Sequence, residues 1–573
     1  MFAALFLFFY GLLVKQFISL FLVAGLLALV PARAQSWQWA LRPAGTGTTS
    51  MERGLATDAQ GNVYVAGLLT GGTGIFGGTT LTAGTAPVGF VGKLSPAGAW
   101  AWAAAVPLGA GSTLSFAAAV PDGAGNLYLT GALTGAATFG PVALATPGAA
   151  YTELFVAKVN SAGTWQWAMR SVSTSVGSNA KGIGLAVDPA TGDPIVVGYT
   201  SSPTTFGVGL GVTQAGGTDG VIARLGAATG QCQWVKPVPS TGDDALIGVA
   251  IDGGGVIYTT GYITNGVAVC CAPALPGTSM DAFVGRLTAN GQIWQWAARF
   301  GSPANNDNAV AVLPLASGEF AVAGNFQGSM TLGGTTLTSA GDRDLYVARL
   351  NAAGQVVAGS AWQAGGPGRD ELAGMTGDQN GNLLLSGRFN APATFGPTTY
   401  PLATAGATTA FVARYQANGT WPWVATAGGP ANVAGLALTL DPTGTYVYHG
   451  GQAAQSVQFG ALPALTAAAG SSGTLYVARM GSVLATRPAA LGGQAVRLWP
   501  NPASGRCAVQ VPALPGAPLV AATLLDGLGR PVRPFTLPSG TTTTLDLAGL
   551  PAGLYVLRLA AGAETTTLRL AVE

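Results

Sequence analysis

The segment DAQGNVYVAG at residues 58–67 returns as DGAGNLYLTG at residues 122–131, and related segments follow along the chain. Each has a turn rich in Gly and Asn, then a run rich in β-branched, aromatic and aliphatic residues, then a glycine. This pattern predicts a turn that leads into a β-strand. The steps between the closing glycines are 64, 67, 63, 63, 63 and 63 residues, which indicates a repeat architecture. The seven closing glycines are Gly67, Gly131, Gly198, Gly261, Gly324, Gly387 and Gly450.

Each unit is predicted to contain four strands. In the first unit they are residues 54–58, 63–66, 90–94 and 100–102, with turn residues between them. Four antiparallel strands form one blade of a β-propeller. We therefore expect an all-β chain with seven blades. The third strand recurs at residues 155–159, 221–225, 283–287, 346–350, 411–415 and 476–480.

The two ends of the repeat array predict how the ring closes. The WQW segment at residues 37–39 is a fourth strand with no unit before it, whereas the last unit stops at Met480 without a fourth strand. The N-terminal strand is thus expected to complete the last blade and to leave no free ring ends. An open solenoid would instead need capping repeats.

The units resemble SBBP β-propeller repeats, most clearly in DAFVGRLTANG at 281–291, WQW at 294–296 and DQNGN at 378–382. The resemblance covers residues 37–480 and implies the propeller fold but almost nothing about activity. In the fifth unit Leu315 departs from the pattern, because it replaces the Asp before the turn.

The C-terminal segment has a different pattern. WPNPASG at 499–505, DGLGRPV at 526–532 and LPAGLYVLR at 550–558 predict six or seven short strands in a small β-sandwich. In this order the motifs resemble the Por-type C-terminal sorting domain over residues 497–573. The resemblance implies export by the type IX secretion machinery, removal of the tail, and then release or attachment to surface lipopolysaccharide. An ordinary immunoglobulin-like accessory domain is the alternative.

The N-terminus predicts a signal peptide cleaved after Ala34. Lys15 precedes an apolar run at residues 17–30, and ARA at 32–34 is a small-x-small cleavage pattern. The alternatives are a retained anchor or a start codon other than Met1. The expected layout is a signal peptide at 1–34, a propeller at 35–481, a linker at 482–496 and the sorting domain at 497–573.

The composition excludes several classes of partner. Only 8% of residues are charged and the net charge is +2, so no basic patch for nucleic acid is expected. Residues 94–121 carry no charge, but their Pro and Gly residues predict short strands rather than a membrane span. The mature chain is therefore expected to have no transmembrane segment.

Four cysteines are too few for a disulfide scaffold. A bridge from Cys232 to Cys270 or Cys271 is one hypothesis, and buried free thiols, including Cys507, are the favoured one.

Acidic residues collect at the rim where strands one and three begin, with Arg53, Arg343 and Arg369 nearby. Oxygen-rich clusters suit Ca²⁺, and this rim is the predicted binding face. The alternative is that each acid caps a turn. Four acids occupy equivalent positions in consecutive units, namely Glu153, Asp219, Asp281 and Asp344.

On the opposite rim we expect a ring of structural ion pairs, because six units end strand one in Asp and every unit has a base near the end of strand three. The acids are Asp58, Asp122, Asp188, Asp252, Asp378 and Asp441; the bases are Lys93, Lys158, Arg224, Arg286, Arg349, Arg414 and Arg479.

Twelve of the 13 tryptophans lie in the fourth-strand segments, mostly in pairs spaced by two. Such pairs are expected to share one strand face, and packing between blades is favoured over sugar binding. The single histidine, His449, lies in an apolar run. This setting predicts a core role for it rather than general-base catalysis.

These observations favour a secreted or surface-exposed binding or adhesion module for an extracellular glycan or protein. The alternative is an exported hydrolase or lyase for polysaccharide or peptide that uses acids such as Asp243–Asp244 or Asp370–Glu371 in the funnel. A purely structural surface layer is a third possibility.

Overall fold

The computed structural model describes residues 36–265, 279–302, 305–378, 380–467, 473–481 and 490–572, the last range without 492–493, 500–502, 504, 515, 527–529, 552 and 563. The predicted signal peptide lies outside these residues, as does most of the predicted linker. The chain divides into two compact units, Met1–Gly481 and Ser482–Glu573. The described residues contain β-strands and no α-helix, and thus no helix that could cross a membrane.

The first unit consists of short strands joined by turns. In chain order they are β1 (Trp37–Leu41), β2 (Thr48–Ser50), β3 (Leu55–Thr57), β4 (Val63–Thr70), β5 (Gly72–Phe76), β6 (Thr79–Ala83), β7 (Val88–Leu94), β8 (Trp100–Pro107), β9 (Thr113–Pro121), β10 (Leu127–Thr134), β11 (Ala136–Phe139), β12 (Val142–Ala145), β13 (Thr152–Val159), β14 (Trp165–Arg170), β15 (Val172–Ser173), β16 (Ala180–Val187), β17 (Pro194–Thr200), β18 (Thr204–Gly207), β19 (Leu210–Val212), β20 (Asp219–Leu225), β21 (Cys232–Val238), β22 (Ala245–Ile251), β23 (Ile257–Thr264), β24 (Met280–Leu287), β25 (Trp294–Phe300), β26 (Asn308–Pro314), β27 (Phe320–Phe326), β28 (Ser329–Leu332), β29 (Thr335–Thr338), β30 (Asp344–Leu350), β31 (Trp362–Ala364), β32 (Asp370–Gly377), β33 (Leu383–Phe389), β34 (Ala393–Phe395), β35 (Thr398–Tyr400), β36 (Thr409–Tyr415), β37 (Trp423–Gly428), β38 (Val433–Leu440), β39 (Val447–Ala453), β40 (Ser456–Phe459), β41 (Leu465–Thr466) and β42 (Thr474–Met480).

Seven antiparallel sheets contain the four predicted strands of each unit, and we name them A to G in chain order. In sheet A the first strand is divided into β2 and β3, both paired with β4. The sheets are A (β2, β3, β4, β7, β8), B (β9, β10, β13, β14), C (β16, β17, β20, β21), D (β22 to β25), E (β26, β27, β30, β31), F (β32, β33, β36, β37) and G (β38, β39, β42, β1).

Sheet G combines the two ends of the repeat array. Strand β1 pairs antiparallel with β42, with Ala40 opposite Ala478 and Leu41 opposite Val477. The first strands of the sheets contact one another in chain order from β3 to β38, and β38 contacts β3. The apolar core consequently lies between successive sheets, including one cluster that joins residues of sheets G and A.

A β-bulge between the paired tryptophans corrects one sequence prediction. In sheet B, Trp167 lies opposite Lys158 and Trp165 lies opposite Val159, so the residue between the tryptophans is the extra one. Because a bulge shifts the alternation by one residue, the two indoles point to opposite faces of the sheet. Trp165 therefore packs in the cluster shared with sheet A, and Trp167 in the cluster shared with sheet C.

The sequence pattern also missed short outer strands between the second and third strand of most units. Eight of them form four two-stranded hairpins, such as β5 with β6. Strands β18 and β19 form a three-stranded sheet with β15, which follows the fourth strand of sheet B. Strands β40 and β41 instead extend sheet F. Their buried phenylalanines, including Phe76 and Phe139, cover the outer edge of the core.

The second unit has two main antiparallel sheets and one short hairpin, β43 with β44, and they share one apolar core. Leu491 and Val496, which belong to the predicted linker, are buried in this core. The strands are β43 (Ala490–Leu491), β44 (Gln494–Ala495), β45 (Arg497–Trp499), β46 (Arg506–Gln510), β47 (Leu519–Leu525), β48 (Pro531–Pro538), β49 (Thr542–Asp546), β50 (Gly553–Ala561) and β51 (Glu564–Val572). The main sheets are β45-β46-β49 and β48-β47-β50-β51.

Candidate functional site

The four equivalent acids of the predicted binding face are all buried. Glu153 accepts hydrogen bonds from Ser171 Oγ at 2.6 Å and from the Ser173 backbone N–H at 2.9 Å. Asp281 accepts from Arg299 Nε at 2.5 Å. Asp219 and Asp344 each accept a backbone N–H from the preceding turn, at 2.8 and 2.9 Å. Their exposed fractions are 0% for Glu153, 1% for Asp219, 7% for Asp281 and 1% for Asp344.

Turn capping, the alternative expectation, therefore describes Asp219 and Asp344. Glu153 is bound by serines instead, and Asp281 is paired with Arg299. Burial raises the pKa of Asp344 to about 6 and also raises the pKa of Asp219. Across the described residues, no group of three or more His, Cys, Asp or Glu side chains is arranged to hold a metal ion. The use of Glu153, Asp219, Asp281 and Asp344 as ligands of Ca²⁺ stays a prediction.

A second buried acid lies beside Asp344. Asp370, at the start of β32, accepts the Gly366 N–H at 2.7 Å and is 1% exposed. Both carboxyl groups lie within 3 Å of the point that a Cβ on Gly365 would occupy. Burial, and then the charge of Asp344, raise the pKa of Asp370 to about 7. Two carboxyl groups with raised pKa values thus face each other between sheets E and F.

The opposite rim carries the predicted ion pairs in four of the six units with an acid. In the unit where Leu315 replaces the Asp, Glu319 lies 3.8 Å from Arg349 and supplies the missing charge. The pairs and their distances are Asp58 with Lys93 at 3.1 Å, Asp122 with Lys158 at 3.6 Å, Asp188 with Arg224 at 2.7 Å and Asp378 with Arg414 at 2.9 Å.

The tryptophans of the fourth strands connect neighbouring sheets. The Trp167 indole donates its N–H to the Ala227 carbonyl of sheet C at 3.1 Å and covers Gly230, which has φ +70°. A Cβ at Gly230 would lie 2.5 Å from the indole, so the turn requires glycine. The indoles of five further tryptophans also cover a turn glycine of the neighbouring sheet: Trp39 covers Gly98, Trp102 covers Gly163, Trp234 covers Gly291, Trp296 covers Gly354 and Trp362 covers Gly419. This confirms the packing role, since only Trp362 of the twelve is exposed.

His449 is fully buried between Trp37 and Tyr476, whose ring centroids are 5.9 and 5.6 Å away. Neither ring nitrogen has a hydrogen-bond partner among the described residues. Burial lowers the pKa of His449 to about 3, so the imidazole is neutral. These contacts match the predicted core role.

A cavity of about 250 Å³, which we call the axial pocket, lies where the first strands converge. Its lining comes from sheets A, D, E, F and G, and several of its residues are at or next to the beginning of a first or third strand. The pocket therefore lies at the rim predicted as the binding face. Its polar side chains are Arg53, Asn308, Asn325, Arg343, Glu371 and Arg388.

The polar groups of the axial pocket are partly fixed by one another. Glu371 accepts hydrogen bonds from Arg369 on Oε1 and from Arg388 on Oε2, both at 2.7 Å. Asn325 donates to Asn308 Oδ1 at 3.0 Å and accepts the Leu372 N–H at 2.7 Å. The two arginines hold the pKa of the Glu371 carboxyl below its usual range, despite the opposing effect of burial. Glu371 is thus an ionised, fully engaged carboxylate.

The four predicted acids do not line this pocket. Its arginines Arg53 and Arg343 were expected from the sequence only as charges near the acidic rim. Asn308, Asn325 and Arg388 were missed. Their only signal in the sequence is that they lie in or near predicted first or second strands, a position that any polar residue of a unit can occupy.

Comparison with known proteins identifies the tail. Residues 497–573 match the family described as secretion system C-terminal sorting domain. The chain therefore carries a type IX sorting domain and is an exported protein, either secreted or attached to the outer-membrane surface. No curated protein matches the chain.

Solved structures show only distant likeness. A structure of the mitotic checkpoint complex has a TM-score of 0.38 at 12% identity, covering 72% of this chain and 88% of that chain. The quinohemoprotein alcohol dehydrogenase from Comamonas testosteroni has a TM-score of 0.36 at 11% identity, covering 82% and 79%. The corresponding enzyme from Pseudomonas putida HK5 has a TM-score of 0.35 at 11% identity, covering 83% and 79%. These values are too low to assign an activity.

Proposed function

We propose that this chain is an exported binding or adhesion protein whose first unit is a seven-bladed β-propeller of SBBP type. The pairing of β1 with β42 supports closure of the ring by the N-terminal strand. The chain-order contacts of the first strands, with β38 back against β3, support seven blades. The sorting domain at residues 497–573 brings the propeller to the cell surface or the medium.

The axial pocket is the observation that carries the binding function. It collects arginine and asparagine side chains from separate sheets at the rim where the first strands begin. A glycosidase needs two carboxyl groups on either side of the scissile bond. Among the described lining residues Glu371 is the one acid, and it is engaged by two arginines. This arrangement favours binding over the alternative, an exported hydrolase or lyase for polysaccharide or peptide.

The binding function is tested by screening the full secreted chain on glycan and peptide arrays, with mass spectrometry of each retained compound. Retention of intact compounds is the expected result. Cleavage of a retained compound would favour the hydrolase or lyase, and the absence of any retained compound would contradict the binding function.

Export is tested separately in a bacterium that has the type IX machinery. Deletion of residues 497–573 is expected to leave the protein inside the outer membrane, because the sorting domain is the part that the machinery recognises. The full chain is the control, and its distribution between medium and cell surface distinguishes release from attachment. Normal export of the shortened chain would contradict the proposed role of the tail.

A further inference from the structure

Two arginines of the axial pocket have no counter-ion of their own. Arg53 comes from sheet A and Arg343 from the turn before β30 of sheet E, so they approach the pocket from different sides. Neither guanidinium makes a hydrogen bond or an ion pair within the part of the chain that the structure describes, and Arg343 Nε is buried without a partner. Glu52, the acid next to Arg53, lies 2.9 Å from Lys181 and is paired there.

Three acids, Glu371, Asp342 and Asp307, act on Arg343 through their charge without forming an ion pair with it, and the positive charge of Arg369 opposes them. Glu371 already shares its two carboxylate oxygens between Arg369 and Arg388. The lining thus has three arginines and one glutamate, a net charge of +2. Burial lowers the pKa of both Arg53 and Arg343, which shows that each guanidinium has lost part of its hydration. Charged groups that are desolvated and unpaired destabilise a fold, so they are typical of a site that awaits an anion.

The chemistry of the lining indicates what kind of anion fits. A guanidinium presents a planar fork of N–H donors that matches the oxygens of a carboxylate or a phosphate. Asn308 belongs to sheet E, which also supplies Arg343. Asn325 already donates to Asn308 Oδ1, so the side-chain N–H groups of Asn308 remain as donors. A volume of about 250 Å³ is slightly below that of typical small-molecule sites. The pocket therefore suits a small ligand or the terminal group of a larger ligand.

We propose that the axial pocket binds the oxyanion of a small ligand, a carboxylate or a phosphate, between Arg53 and Arg343. This inference rests on the proposed binding function and specifies its ligand chemistry. Asn308 donates to a neighbouring hydroxyl or oxygen of the ligand, and Glu371 holds Arg388 in place rather than contacting the anion.

The test is calorimetric titration of the full chain with D-glucuronate, inorganic phosphate and uncharged glucose. Glucuronate, phosphate or both bind, glucose does not, and the affinity falls as the salt concentration rises. Arg343→Gln weakens binding roughly 10- to 100-fold, because one charged hydrogen-bonding fork is lost. Arg170→Gln is the matched control, since it removes the same charge from sheet B outside the pocket and leaves the affinity unchanged.

The two anions distinguish the two sources of the oxyanion: preference for glucuronate assigns a carboxylate, and preference for phosphate assigns a phosphate. Circular dichroism of each variant shows that it is folded, and Arg53→Gln provides a second variant if Arg343→Gln does not fold. Failure of both anions to bind, or equal binding by the Arg343 and Arg170 variants, overturns the inference. In that case an array ligand retained by the chain would still support the proposed binding function.

Discussion

Replacement of Asp370 by Asn is expected to stabilise the protein, and more strongly at high pH. Asp370 is 1% exposed, and its Oδ1 has no hydrogen-bond partner among the described residues. Burial, and then the charge of Asp344, raise its pKa from 3.8 to about 7. The folded protein therefore holds a proton that the unfolded chain loses, so this group lowers the free energy of unfolding as the pH rises from about 4 to about 7.

The size of the effect follows from the pKa shift. A shift of about three units corresponds to about 4 kcal/mol at about 1.36 kcal/mol per unit. At pH 5 only the part of the shift between 3.8 and 5 has been lost, which corresponds to about 2 kcal/mol. In Asp370→Asn the amide oxygen still accepts the Gly366 N–H, and the uncharged group has no ionisation penalty. The gain in stability should consequently grow by about 2 to 3 kcal/mol between pH 5 and pH 8.

Guanidinium unfolding of the full chain at pH 5 and pH 8 measures this gain. Asp378→Asn is the matched control, because Asp378 forms a buried ion pair with Arg414 at 2.9 Å. Loss of that pair should destabilise the protein by about 3 to 5 kcal/mol at both pH values. A gain from Asp370→Asn that is zero, or equal at pH 5 and pH 8, would refute the reasoning.

Three further substitutions or reactions test the packing of the first unit and the state of the thiols. Gly230→Ala should destabilise the protein by about 2 to 4 kcal/mol in guanidinium unfolding, because the added methyl group clashes with an indole and the backbone is left-handed. Gly177→Ala is the control: its φ is also positive, at +81°, but the space around it is open, so it should destabilise the protein by only about 1 kcal/mol. Trp37→Ala should destabilise the protein by about 3 to 5 kcal/mol in thermal unfolding, since the indole is buried in the sheet that joins the two ends of the repeat array. An unchanged Tm would contradict this. Burial raises the pKa of the free thiols of Cys232 and Cys507 to about 11. Iodoacetamide at pH 8 should therefore label them slowly in the folded protein and rapidly in urea. Equal labelling rates would show that these thiols are not shielded.

The thiol experiment also concerns the proposed bridge. Cys232 is a free thiol in the structure. Cys270 and Cys271 lie outside the described residues, so a bridge from Cys232 to either of them stays a prediction.

Local sequence signals were sufficient for the four main strands of each unit and for their order, but not for the short outer strands. Turn residues and the β-rich run from Val63 to Ala66 predict the second strand of sheet A, which the structure extends to Thr70. The unpaired WQW segment predicts the pairing of β1 with β42, because a strand without a neighbour must satisfy its backbone groups elsewhere. The motifs of the sorting domain are likewise local, and the family match at residues 497–573 confirms the predicted sorting domain.

The faces of the tryptophans were decided by backbone pairing. A spacing of two residues predicts one shared face, but the bulge between Trp165 and Trp167 inserts an unpaired residue and turns the second indole toward the next sheet. The bulge depends on which residues of β13 lie opposite, and the spacing of the tryptophans does not contain that register.

The sequence by itself determined the repeat, the four strands of each unit, the ion pairs of one rim and the export signal, since each depends on residues close together in the chain or on a position repeated in every unit. Only the tertiary structure decided the candidate site. Arg53 and Arg343 are almost 300 residues apart and occupy no equivalent positions in their units. They line one pocket because the first strands of the sheets contact one another in chain order and β38 contacts β3. The four acids that occupy equivalent positions in consecutive units are buried and do not line this pocket.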